Sequence, residues 1–566
     1  MSMHRWGGLA CAALALIDVQ AGAAAAKDSQ DPLIASGSAR TTRFVPTRPS
    51  DIPDDAELQA AGARIGKIIF DGRRVFDPQM GDQRTRLGHL ANRLHIQTRH
   101  ATLEDLLLFR SGDPYDPRLI AESARILRDT RYLRDAWITP VSYQDGLVDV
   151  EVLAQDVWTL NPGISFGRKG GRNSSGFEFE ELNLLGTGAE AKIGYTSDVD
   201  RDSRLVAFRD RTLGSSWWSL YAMYSDNSDG RLADLTLEHP FYALDVRRAG
   251  GFSLADDRRV DSRYDLGEVV DKYQAHEKLG SIYYGFSSGL HGRWTRRWSV
   301  GFTYEDHQFD AAPGELPPVA LPGDRTLAYP WIAAEWIEDD YHIARNRDQI
   351  EKTEDYSLGW HARVQLGYAT EALGSDRNAL TFSGLASKGV ALSDKRSLLF
   401  DATLRGRVEA GAVAGAIAEA NARFYVRQSE RRLFYVQLGA AAGENLDLDQ
   451  QILLGGDSGL RGYPLRYQAG TGRWLFTAEQ RWFSDWYPFQ LFNVGGAVFY
   501  DMGETWGRDP LGSPSQGKLR DIGLGLRLGN SRSALGNVIH VDLAFPLDGD
   551  KSIDSVQVVV ETKAKF

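Results

Sequence analysis

Two short stretches carry the residue types of nucleophilic catalysis. Gly163-Ile-Ser-Phe-Gly167 has the spacing of a nucleophile elbow, where a serine is exposed at a sharp strand-to-helix turn. Gly456-Asp-Ser-Gly459 has the look of serine-protease sequences. Neither has the setting its chemistry needs. Ser165 lies in an alternating segment with no helix pattern behind it, and no histidine is placed to serve Ser458. No P-loop, dinucleotide fingerprint or His-Glu-x-x-His occurs, and the eleven histidines are scattered. The only cysteine is Cys11. The chain reads as no enzyme, with no catalytic residue, no metal and no cofactor.

A third stretch, Leu453-Leu-Gly-Gly-Asp-Ser-Gly-Leu-Arg-Gly-Tyr463, carries a different chemistry. Arg461 is a permanent cation, and a buried guanidinium needs carboxylate partners. Downstream, Arg473, Thr477, Glu479 and Arg481 share one parity, against Trp474, Phe476, Ala478 and Trp482. In the next segment Asn493, Gly495, Ala497, Phe499 and Asp501 stand against Phe492, Val494, Val498 and Tyr500. If both segments are strands with one apolar face, Glu479 and Asp501 point to the polar side.

The elements that would position these residues are strands. From Val157 to Phe566 short alternating segments recur between Gly, Asp, Asn and Ser turns. In the last one Val556, Val558, Val560, Thr562, Ala564 and Phe566 share a parity, opposite Gln557, Glu561, Lys563 and Lys565. One face suits lipid and the other a water-filled interior. Trp217-Trp218 and Trp294 to Trp298 suit interfacial girdles. Charged residues make up 25% of the chain, and no apolar run is long enough for a membrane helix bundle. A mainly β fold, with a transmembrane antiparallel barrel over 158–566, accommodates that composition. The formal charge of −11 argues against a nucleic-acid partner.

Ahead of the barrel, residues 63–157 read as a small α+β domain. Ile65 to Gly72 is a strand with a turn signal. Thr102-Leu-Glu-Asp105 is a capping-box variant ahead of Leu106 and Leu107. Asp116-Pro117 opens a second helix. Two strands, 136–143 and 147–153, flank the turn Gln144-Asp145-Gly146. Residues 27–62 are polar and Pro-rich and read as a flexible leader. Residues 1–26 read as a secretory signal, with a basic start, an apolar core from Gly7 to Ile17 and small residues from Ala21 to Ala26.

The β-α-α-β-β order, with Ser111-Gly-Asp-Pro-Tyr115 before the second helix, resembles a polypeptide-transport-associated (POTRA) domain. Arg461-Gly462-Tyr463 and its Gly-rich lead resemble the tip of the inward-folded loop in the BamA/TamA superfamily, also called the bacterial surface antigen family. Glu181-Leu-Asn-Leu-Leu-Gly-Thr-Gly188 resembles that family's early barrel motif. The resemblance covers nearly all of 63–566. It implies sixteen strands, with the loop near 450–470 placed before the last five. Five strand candidates do follow the loop: 472–483, 490–503, 519–529, 536–546 and 554–566. The candidates after Val157 number nearer twenty in all, and the excess reads as loop hairpins or halves of longer strands.

The resemblance also implies that Glu479 and Asp501 anchor Arg461, and that Phe566 is the signal presented to the barrel-assembly machinery. It implies an outer-membrane location with the POTRA domain in the periplasm. The partners it implies are membrane lipid, lipopolysaccharide and an unfolded polypeptide client. The expected function is assembly, insertion or translocation of polypeptides at the outer membrane. The alternatives are a passive or gated channel or scaffold, or export of lipid or surface antigen. The acidic run Glu335 to Asp340 reads as a solvated loop, or as one touching divalent ions at lipopolysaccharide level.

Overall fold

The computed structural model describes residues 46–76, 92–93, 95–315, 318, 320–350, 352–488, 492–509, 515–530, 538–549 and 551–563. The expected signal segment, the leader up to residue 45 and Phe566 lie outside them.

The leader's second half is structured. Helix α1 (Asp55–Ala60) is fixed by a capping box in which Asp54 Oδ1 accepts the Glu57 amide (2.8 Å) and Glu57 answers to the Asp54 amide (3.3 Å). It buries Leu58 and, with Ile52, joins the core of the domain that follows. The polar, Pro-rich composition hid this, because a single turn with one buried leucine shifts composition little.

That domain runs β1 (Arg64–Arg73), α2 (His100–Glu104), α3 (Pro117–Arg128), β2 (Leu133–Gln144) and β3 (Leu147–Asp156). The sheet order is β1-β3-β2, with β3 central, parallel to β1 and antiparallel to β2. Val148, Val150 and Val152 alternate inward against Leu103 and Leu127. Asp116 caps α3 ahead of Pro117, accepting the Arg118 amide at 2.9 Å. Helix α2 ends where the capping-box variant was expected to start one. Thr102 lies inside the helix and donates to the Gly186 carbonyl at 2.8 Å.

The barrel begins with β4 (Leu160–Lys169), β5 (Arg172–Glu181), β6 (Glu190–Ser197), β7 (Asp202–Asp210), β8 (Ser219–Asn227) and β9 (Gly230–His239). Next come β10 (Arg248–Asp265), β11 (Glu268–His291), β12 (Trp294–Ala311) and β13 (Arg325–Glu338). A separate two-stranded hairpin, β14 (Tyr341–Arg345) with β15 (Thr353–Ser357), interrupts the wall. The wall resumes as β16 (His361–Ala369), β17 (Ala379–Ser393), β18 (Arg396–Glu409), β19 (Ala412–Ser429) and β20 (Arg432–Glu444). A long loop carries a short hairpin, β21 (Ile452–Leu454) with β22 (Gln468–Gly470). The wall ends with β23 (Gly472–Phe483), β24 (Phe492–Trp506), β25 (Leu519–Asn530), β26 (Val538–Pro546) and β27 (Gln557–Lys563).

Among the described residues twenty antiparallel strands close the barrel, not sixteen. The wall therefore takes about as many strands as the sequence offers candidates, and reading the excess as loop hairpins or halves of longer strands, to meet the sixteen that the resemblance implies, is corrected. Five strands do follow the loop. At 18, 24 and 18 residues, β10, β11 and β12 exceed the roughly 9–11 residues a bilayer crossing needs. Their surplus lies at the end away from the small domain, where Gly267 of the β10–β11 turn meets Pro464 and Leu465.

The lipid face is apolar in strict alternation: Ile164, Phe166, Phe177, Phe179 and Ile193 are all exposed. Trp218, Trp294 and Trp298 are exposed at the small-domain end, whereas Trp217 turns away and stacks on Tyr242 with centroids 3.9 Å apart. The acidic run Glu335 to Asp340 also lies at that end, and no lipopolysaccharide-level loop is formed. Glu335 pairs with Arg297 (3.2 Å) and His361 (2.9 Å), and Glu338 with Lys388 (2.9 Å).

Among the described residues the seam is the weakest joint of the wall. There β27 and β4 share one ladder pair, Val560 with Arg168. Every other neighbouring pair of wall strands runs over seven positions or more. A side-chain ion pair, Lys169 with Glu561 at 2.6 Å, crosses the same joint.

Candidate functional site

The loop between β20 and β23 folds into the lumen. Its β21–β22 stem and a small cluster of Leu454, Leu460, Tyr463, Tyr467 and Leu519 give it a core of its own. Ser458 Oγ closes a turn with Gly455 and points at no partner histidine.

Arg461 sits at the tip and is buried. Its Nε and Nη2 donate to the two oxygens of Asp501 at 2.7 and 2.9 Å, and its Nη1 donates to Glu479 Oε1 at 2.7 Å. Such bidentate, charge-assisted bonds fix direction as well as distance. The parity argument placed both carboxylates on the inner face, and the structure brings the arginine to them.

Three partners were missed. Asp542 on β26 lies 3.3 Å from Arg461 Nη1, and Phe499 lies under the guanidinium, 3.3 Å from carbon to ring centroid. Asp521 on β25 accepts the Gly462 amide at 3.0 Å. Asp542 and Asp521 occupy inward parities of their own strands, so the signal was present but unused. Around this centre Arg481 donates to Glu479 Oε2 at 2.9 Å, and Arg527 pairs with Asp542. Three guanidiniums thus meet three carboxylates on three wall strands, and Asp521 on a fourth strand stands beside them. Burying so many charges is tolerable because Glu479, Asp501 and Asp542 are each paired with a guanidinium, while Asp521 holds the loop backbone through the Gly462 amide.

Gly462 is required by proximity. A Cβ there would stand 2.7 Å from the Asp521 Cβ and 3.1 Å from the Pro546 nitrogen. Tyr463 is buried, and its hydroxyl donates to the Arg520 carbonyl (2.7 Å) while accepting the Arg520 amide (3.1 Å). The loop then crosses the far mouth. Pro464 and Leu465 press on Gly170 of the β4–β5 turn, and Arg466 pairs with Asp200 through 2.6 and 2.7 Å contacts. That guanidinium holds the Asp200 carboxyl below the usual carboxylate range.

The early barrel motif has a separate task. Asn183 is fully buried in the β5–β6 turn, where its Oδ1 accepts the Gly188 amide (2.7 Å) and its Nδ2 donates to Thr98 (2.9 Å). Thr98 in turn donates to Asp156 through its hydroxyl (2.7 Å) and its amide (3.0 Å). The Gly186 carbonyl accepts the Arg99 amide at 3.0 Å. The motif therefore bolts the small domain to the barrel.

The sequence matches the Omp85 superfamily domain over residues 183–560. No curated protein matches it. Among solved structures it is similar to BamA from Haemophilus ducreyi lacking POTRA domains 1–3, at 12% identity and a TM-score of 0.38, covering 88% of this chain and 84% of that one. It is also similar to CdiB from Acinetobacter baumannii, at 12% identity and a TM-score of 0.41, covering 89% and 73%. CdiB from Escherichia coli gives 13% identity and a TM-score of 0.41, covering 88% and 76%. With the superfamily match running from the early barrel motif to the last wall strand, through the arginine loop between them, the chain belongs to the Omp85 superfamily.

Proposed function

We propose that this outer-membrane barrel inserts or translocates polypeptides that its small domain receives in the periplasm. Superfamily membership supports action on polypeptide clients in general. The small domain is read as a single POTRA domain, on its β-α-α-β-β order and β1-β3-β2 sheet.

The outer edge of β1 is taken by the chain itself. The Ile65 amide donates to Asp113 at 2.8 Å, the Gly112 amide to Ile65 at 2.8 Å, and the Tyr115 amide to Ala63 at 2.8 Å. Among the described residues no backbone segment pairs with the outer edge of β2. An extended client adding a strand would therefore add it to β2, through sequence-tolerant main-chain bonds.

The observation that carries sideways release is the seam with its one ladder pair, Val560 with Arg168. Among the described residues, opening it breaks far fewer main-chain bonds than parting any other two neighbouring wall strands. The reading involves no enzyme activity and no cofactor. Work comes from client binding and folding.

The test is a disulfide across the seam, Arg168→Cys with Val560→Cys. The only native cysteine, Cys11, lies in the expected signal segment. Oxidation is expected to stop client insertion or secretion, and reduction to restore it. Unchanged outer-membrane and secreted protein profiles in both states would remove sideways release. Unchanged profiles on deleting residues 63–157, with ion conductance retained, would leave a channel.

A further inference from the structure

We propose that the β14–β15 hairpin is a second plug, entering the lumen from the small-domain end and carried by the small domain itself. A lone two-stranded hairpin is marginally stable in water, so its neighbours fix its place. One face of it belongs to the small domain. Asp355 receives a bidentate pair from Arg128, 2.7 Å at each oxygen, and Thr353 Oγ1 donates to Asp135 at 2.7 Å. Ile343 packs with Trp137 and Leu153, and the Arg125 guanidinium lies 3.6 Å from the Tyr341 ring centroid.

The tip of the hairpin belongs to the barrel. Ile350 is buried among Tyr425, Leu433, Tyr435, Phe483 and Val538, inward residues of four wall strands. Arg347 lies 4.0 Å from the ring centroids of both Tyr356 and Tyr425, and Asp348 accepts the Tyr425 hydroxyl at 3.0 Å. Tip and strand move as one body. The Glu354 carboxylate on β15 accepts the amides of Arg347 (3.0 Å), Asp348 (2.9 Å) and Gln349 (3.2 Å). Beside the hairpin is a cavity of about 1040 Å³ lined by Arg125, Arg211, Trp217, Tyr242 and Glu354. A displaced tip has space to enter.

The two plugs are also joined. Arg481, which shares Glu479 with Arg461, donates to the Arg347 carbonyl at 3.2 Å. Displacing the small domain therefore pulls Ile350 from its cluster and strains the bond that leads to the arginine loop. The inference deepens the conduit reading, but its gate is read with ions and needs no client.

The test uses the full chain in planar bilayers, with Ile350→Cys and Gly529→Cys. A Cβ at Gly529 stands 3.1 Å from the Ile350 Cβ, close to disulfide range. The oxidised pair is expected to show at least tenfold fewer openings than the reduced pair. In a second variant, with residues 347–350 replaced by two glycines, openings are expected to rise at least tenfold over the parent. Equal conductance of oxidised and reduced protein, or a tip replacement that conducts like the parent, overturns the plug. Should the cysteine pair fail to fold, the tip replacement decides. Failure of client transport in an ungated barrel would instead sink the conduit reading and leave the plug standing.

Discussion

Arg461 and Asp501 meet as a bidentate pair, 2.7 and 2.9 Å, on the inner wall of a membrane barrel. The pair closes over the Phe499 ring and is shielded from the lumen. Arg461→Ala leaves Asp501, Glu479 and Asp542 short of a cation in a buried site. Loss of one partner from such a cluster costs about 3–5 kcal/mol. The loop is expected to detach while the wall stays closed. Protease cleavage within 455–470, with the barrel still resisting unfolding in detergent, is the measurement. Arg461→Lys keeps the charge but not the planar fork, and is expected to recover only part of the loss.

The neighbouring glycine gives a cleaner probe, because its substitution changes no charge. Gly462→Ala puts a methyl 2.7 Å from the Asp521 Cβ. The loop must move outward, at about 1–3 kcal/mol for overpacking. The expected result is the same protease sensitivity as Arg461→Ala, with the buried charges unchanged. Equal protection of Gly462→Ala and parent would show that the tip has slack.

How far the sequence disclosed this site follows from its physics. Glu479 and Asp501 were legible because alternation in a strand fixes which side chains share a face. Asp521 and Asp542 obey the same rule on later strands, yet nothing in one strand's pattern says how the loop tip is turned toward its neighbours. Strand candidates nearer twenty than sixteen were legible from their turns, but which of them build the wall was not. The β14–β15 hairpin was not distinguishable from them, since a strand's local pattern carries no record of its partners. Trp217 and the Glu335–Asp340 run misled for a related reason: composition gives a residue's preference for water or lipid, not the face it turns to or the mouth of the barrel it lies at. Leu58 shows the limit in small elements, where one buried side chain outweighs a polar surrounding.

Acid should release the Arg466 stretch of the loop from the far mouth. Arg466 holds the Asp200 carboxyl below its ordinary value, so the contribution of this pair is present above the unfolded carboxylate value of about 3.9. It is lost as pH falls through the lowered value in the docked state. Conductance noise from the far side is expected to be flat from neutral pH down to about pH 4 and to rise below it. Asp200→Asn should be noisier at neutral pH and lose that acid step. A step that persists in Asp200→Asn would assign it to another group.

The joint between domains offers the last prediction. Asn183 is buried between the Gly188 amide and the Thr98 hydroxyl, and Thr98 leads directly to Asp156 at the end of β3. Asn183→Ala removes both bonds and leaves a buried amide unsatisfied, which costs about 1–3 kcal/mol. Because the wall of β5 and β6 pairs over seven positions without help from this side chain, the barrel should remain intact. The small domain should loosen instead. Spin labels on β2 and on the β8–β9 turn would report a broader distance distribution in Asn183→Ala than in the parent. If the hairpin is carried by the small domain, the same variant should raise the frequency of channel openings, and adding the Ile350–Gly529 disulfide should suppress them. Openings that ignore the disulfide would separate the joint from the plug, and the small domain would then have no hand on the gate.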